Sequence, residues 1–81
     1  MLTKEELDAF VATLNTLLGE QYDEKQAVTW LQESLEVAQP NGVYNAATQQ
    51  AVTAFQKEKG FEETGLADEA TLQALIDSMK N

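Results

Sequence analysis

Two stretches of this chain are near-copies of one another, and no other feature limits its possible folds so sharply. Ala27-Val28-Thr29-x-Leu31-Gln32 set beside Ala51-Val52-Thr53-x-Phe55-Gln56 agrees at four of six positions, at an offset of 24. Gly42-Val43-x-Asn45-x-Ala47-Thr48-x-Gln50-Ala51 set beside Gly65-Leu66-x-Asp68-x-Ala70-Thr71-x-Gln73-Ala74 agrees at five positions, at an offset of 23. A period in this range marks a repeated supersecondary unit. The unit runs helix, loop, glycine turn, apolar residue, Asx cap, and a helix opening on Ala-Thr. Glycine supplies a positive φ or a close backbone approach, and Asn or Asp caps the helix that follows. Val43 and Leu66, which follow the glycines, are expected to plug the core equivalently, with the two units related by a pseudo-twofold.

The helices can be placed from their punctuation. Thr3 with Glu6 forms a capping box, flanked by Leu2 and Leu7 at staple spacing. Leu7, Phe10, Val11, Leu14, Leu17 and Leu18 then share one helical stripe that Gly19 ends, which predicts a helix over roughly 4–18. Such a stripe is expected to dock through Leu7, Phe10, Leu14 and Leu17 on the face bearing Trp30, since burying each large side chain stabilises by ~1.5–3 kcal/mol. A second helix starts at Asp23, carries Ala27, Leu31, Leu35 and Ala38 at its centre, and stops before Pro40. A third starts at the Asn45 cap, buries Thr48, Ala51, Val52 and Phe55, and ends at Gly60. A fourth starts at Asp68 and buries Leu72, Leu75, Ile76 and Met79. With no sustained period-2 alternation, the fold class is all-α.

Composition narrows the functions. The 81 residues carry fourteen carboxylates against five lysines, for a net charge of −9, with no histidine and no cysteine. A phosphate backbone or an anionic membrane surface would be repelled, so nucleic-acid binding and membrane insertion are not expected. Disulfides and nitrogen or sulfur metal ligands are ruled out by residue type. Glu62-Glu63 and Asp68-Glu69 crowd one loop, but no Asp-x-Asp-x-Asp-Gly calcium loop is present and adjacent carboxylates diverge, so they read as a solvated acidic face. No catalytic residue, metal site or cofactor is expected. Met1-Leu2-Thr3-Lys4 leads straight into a polar helix without secretory-signal character. That is expected of a chain working in the cytoplasm or a virion, or of a domain excised from an exported protein of the cell envelope.

AVTWLQESL, followed by NGVYNAATQQAVTAFQKEKGFEETGLADEATLQAL, resembles the peptidoglycan-binding-like domain family. The family's pattern is a Val-x-x-Leu-Gln helix, then Asp-Gly-x-Phe/Tyr-Gly-x-x-Thr-x-x-Ala-Val-x-x-Phe-Gln, then Gly-Leu, Gly-x-x-Asp and a closing Thr-x-x-x-Leu. The resemblance implies a three-helix module with pseudo-twofold repeats, over 23–79, to which the helix at 3–19 is an addition within a single domain of 1–81. Such modules anchor cell-wall hydrolases, spore-cortex enzymes, transpeptidases and phage lysins to peptidoglycan and do no catalysis themselves. Asn41 stands where the family usually has Asp, and Asn45 where it usually has Gly. The loop from Leu35 to Asn41 lacks a Gly-Tyr segment that helps wall the family's groove.

On this reading a muropeptide lies across the 41–45 turn and the third helix, and the candidate ligand-binding residues are Asn41, Tyr44, Asn45, Gln49, Gln56 and Trp30. Each has a structural reading beside the functional one. Tyr44 is either a sugar-stacking ring or a core plug with its hydroxyl at the rim. Trp30, whose counterpart is Ala54, is either a ligand platform or a packing partner of the first helix. Gln32 and Gln56 bond either loop backbone or ligand. Thr48 and Thr71 read as structural. A second function remains open, a protein-interaction domain of a phage or intracellular assembly, docking through the added helix.

Overall fold

The computed structural model describes residues 2–79. Its four helices are α1 (Lys4–Leu18), α2 (Glu24–Ser34), α3 (Ala46–Glu58) and α4 (Glu69–Met79), and no strand occurs among the described residues. The all-α fold expected from the sequence is therefore observed.

The starts of the helices follow their capping residues. Thr3–Glu6 and Asp23–Gln26 both close complete capping boxes at the heads of α1 and α2. Asn45 accepts from the Thr48 N–H at 3.0 Å and Asp68 from the Thr71 N–H at 2.9 Å, which caps α3 and α4. Gly19, at φ 68°, ends α1.

The core gathers Phe10 and Leu14 from α1, Ala27, Val28 and Leu31 from α2, Val52 from α3, and Leu72 and Leu75 from α4. Tyr44 and Ala67, from the loops, complete it. The stripe of α1 turns inward as expected, with Phe10 and Leu14 buried and Leu7 and Leu17 half-buried, and the helix packs against α2 and α4. Phe10 meets Tyr44 edge-on, ring centroids 6.0 Å apart.

Three expectations need correction. The second helix stops at Ser34, before Leu35 and Ala38 could extend it. The chain turns through Glu36, at φ 60°, and the Val37 N–H returns to the Gln32 carbonyl at 2.8 Å while the Glu36 N–H reaches Glu33. This is a Schellman closure, and it leaves Ala38 exposed. The core plugs lie one residue later than expected. Val43 is 55% exposed and Leu66 only half-buried, whereas Tyr44 and Ala67 are buried. Successive side chains of an extended segment point to opposite sides. With Gly42 seated inward, Val43 must face out and Tyr44 in. Finally, Met79 in the last turn of α4 is 54% exposed because the core ends at Leu75, and Ile76, like Ala51 and Phe55 on α3, is only half-buried.

Candidate functional site

The geometry around the 41–45 turn is built from one glutamine. Gln32, fully buried on α2, accepts at Oε1 from the N–H groups of Asn41 and Gly42, each at 2.9 Å. Its Nε2 donates to the Val43 carbonyl and to Thr48 Oγ1, both at 2.8 Å, and to Asn41 Oδ1 at 3.2 Å. One amide therefore satisfies a loop whose main-chain groups have no helix or sheet to pair with.

Gln56 on α3 repeats this after the next helix. It accepts from the Gly65 N–H at 2.9 Å and donates to the Leu66 carbonyl at 2.9 Å, to Thr71 Oγ1 at 3.0 Å and to Thr64 Oγ1 at 3.2 Å. Gln56 was a candidate ligand residue. It is 1% exposed and its amide is consumed by loop and helix, so it offers a ligand nothing.

Tyr44 also turns inward. It is 5% exposed and its hydroxyl donates to the Gly65 carbonyl at 2.8 Å, bridging the first turn to the second. Burial, with Asp68 adding a smaller push, raises its pKa to about 12. A ring enclosed in this way presents no face to a sugar, so the core-plug reading of Tyr44 holds. Gln49 is half-buried beside Gly65, where a Cβ would meet its Cγ at 2.8 Å.

Asn41 and Asn45 keep polar groups at the surface. Asn41 is exposed and Asn45 half-buried. Their Oδ1 atoms are engaged, Asn41's by Val43 N–H and Gln32, Asn45's by the Thr48 N–H and hydroxyl. Their Nδ2 groups donate to no protein acceptor among the described residues.

Trp30 is half-buried at the edge of the core. With Tyr22, Lys25, Gln26, Thr29 and Glu33 it lines an open depression of about 350 Å³. Gly42 seats on this same face of α2. A Cβ there would collide with Lys25 Cγ and lie 3.1 Å from the Lys25 carbonyl and 3.2 Å from Thr29 Oγ1. Gly42 therefore lies beside two residues of the depression, Lys25 and Thr29, while Asn41 is bonded to Gln32, which points away from Trp30 around α2. Tyr22 and Lys25 were not among the sequence candidates. Their signal was present: an aromatic just before a capping box, and the one lysine on α2 in a chain of net charge −9.

Comparison with known families bears on this arrangement. Residues 24–75 match the family model described as "Putative peptidoglycan binding domain", more than half of the chain. No curated protein and no solved structure matches the chain. The matched span opens on the first residue of α2 and closes on Leu75, so it contains both glutamine-held loops and leaves α1 outside. The chain belongs to the peptidoglycan-binding domain family.

Proposed function

We propose that this chain is a non-catalytic wall-binding module that brings an attached or separate protein partner to peptidoglycan in the cell envelope. The observation that carries the reading is the family match across 24–75, which spans both glutamine-held turns. The chemistry of the chain supports it. The sequence offers no histidine or cysteine. The four buried polar side chains, Gln32, Thr48, Gln56 and Thr71, are all engaged in holding loops and helix starts. The groups left for a ligand are hydrogen-bonding ones, the free amides of Asn41 and Asn45, together with the half-buried indole of Trp30 elsewhere on the surface.

The alternative, an interaction domain that docks through the added helix, draws on the strong acidity, the shortened loop before Asn41 and the added helix itself, and would gain from an apolar stripe left exposed on that helix. That stripe is committed to α2 and α4, with Phe10 and Leu14 inside the core.

Co-sedimentation with purified sacculi tests the proposal. The intact chain should pellet with sacculi at moderate salt, and Asn41→Ala should weaken binding about tenfold for one lost hydrogen bond. Asn45→Asp keeps the cap on α3, so a loss of binding in that variant separates ligand contact from stability. A chain that stays in the supernatant overturns the reading.

A further inference from the structure

The added helix and the matched domain meet at Tyr22, which lies on the linker between α1 and α2. The Asn15 side chain on α1 grips the main chain of Tyr22 at two points. Its Nδ2 donates to the Tyr22 carbonyl at 3.0 Å, and its Oδ1 accepts from the Tyr22 N–H at 2.9 Å. A linker residue held by both of its main-chain groups cannot drift, so its ring is kept on the wall of the depression that Trp30 also lines. Lys25 is steadied from the other side, its stem lying against Gly42. The result is two aromatic rings, the Thr29 hydroxyl and a cation on one open face.

Charge says what fits there. Lys25 and Glu33 are eight residues apart on α2, two turns along the same face, so their Cα atoms lie about 12 Å apart at helical rise. Lys25 forms no ion pair among the described residues. A cation and an anion flanking aromatic rings suit a ligand that has an apolar sugar face and a zwitterionic arm. A muropeptide has both: amino-sugar rings, and a stem peptide bearing carboxylates and an amine.

Resting on the wall-binding reading, we propose that the Tyr22–Trp30 depression is the muropeptide subsite. The amino sugar stacks on the aromatic pair, Lys25 binds a stem-peptide carboxylate, Glu33 binds the stem-peptide amine, and Asn15 acts as a positioning residue through Tyr22. The segment holding this subsite together comes from outside the matched 24–75 span. The second unit carries Gln49 and the exposed Ala54 where the first has Lys25 and Trp30, so it offers no such subsite.

Trp30 is the only tryptophan, so intrinsic fluorescence reports this face directly. Titration with a disaccharide-tetrapeptide muropeptide should give a saturable change in Trp30 emission. Tyr22→Ala should weaken it about tenfold, with Tyr22→Phe close to wild type. Lys25→Ala should weaken the muropeptide but leave a tetramer of N-acetylglucosamine unaffected. Asn15→Asp, which keeps the acceptor for the Tyr22 N–H, should retain more affinity than Asn15→Ala. Far-ultraviolet circular dichroism checks the fold of each variant. If the intact chain pellets with sacculi but Trp30 emission is indifferent to saturating muropeptide, the subsite is overturned and the wall-binding function stands. If the chain does not pellet, the function falls and the subsite with it.

Discussion

The loop after α2 and the loop after α3 solve the same problem with the same parts. In each, a buried glutamine, Gln32 or Gln56, takes a main-chain N–H from a glycine turn and gives its own hydrogens to a carbonyl and to a threonine on the next helix. In each, an Asx residue caps that helix, and the glycine lies against the preceding helix beside Thr29 or Thr53. The differences are as orderly as the agreements. Glu36 takes the left-handed position that Gly60 takes in the second loop. Tyr44 stands where Ala67 does, and Trp30 where Ala54 does. Residues shared by the two loops hold the scaffold. Of those that differ, Tyr44 ties the first loop to the second and to α1, while Trp30 and Lys25 face the surface.

The sharpest way to break this comparison is to remove the glutamines. Gln32→Ala leaves two N–H groups, a carbonyl and a threonine hydroxyl without their partner, and should cost about 4 kcal/mol. Gln56→Ala should cost roughly 1 kcal/mol less, because Gln56 takes one N–H where Gln32 takes two. Urea unfolding measures both, and a larger loss for Gln56 would mean the loops are not held alike.

The glycines come next. Gly42→Ala meets the Lys25 backbone as well as a positive φ, and should cost about 3 kcal/mol. Gly65→Ala meets only side-chain atoms of Gln49 and Thr53 and should cost less, about 2 kcal/mol. Equal losses would show that φ alone sets the requirement.

Tyr44→Phe should cost about 1–2 kcal/mol near neutral pH for the lost bond to Gly65. The pH dependence sharpens the test. With its pKa raised from 10.0 to about 12, folded Tyr44 holds its proton while the unfolded chain releases it. Its contribution is therefore fully present below about pH 10 and is lost as pH rises toward 12, by about 2–3 kcal/mol. The Phe variant should lack that alkaline loss, and parallel stability curves for the two proteins would contradict the buried hydroxyl.

The smallest effect is a gain. Glu36→Gly should stabilise the first loop by about 1 kcal/mol, since glycine occupies φ 60° without the penalty of a Cβ. The melting temperature should rise. No change would mean that the Glu36 side chain offsets its own backbone cost.

Local chemistry was enough to place the starts of the four helices. Thr3, Asp23, Asn45 and Asp68 each cap the helix that follows, and a cap needs only neighbours within three residues. The two glycine turns were equally legible, because Gly42 and Gly65 recur in the same setting. The end of α2 was not. Leu35 and Ala38 continue the helical stripe, but the chain turns at Glu36 and carries the Asn41 and Gly42 N–H groups onto Gln32. Nor could sequence choose between Val43 and Tyr44, or settle Gln56 as a scaffold residue and Tyr44 as a plug. Those assignments depend on how each loop folds back against the rest of the chain, through bonds that span 8 to 21 residues. Tyr22 and Trp30 come to one depression for the same kind of reason: Asn15, on another helix, holds the linker in place. Caps and turns are settled by bonds within a few residues, whereas burial and exposure are settled by what the rest of the chain folds against them.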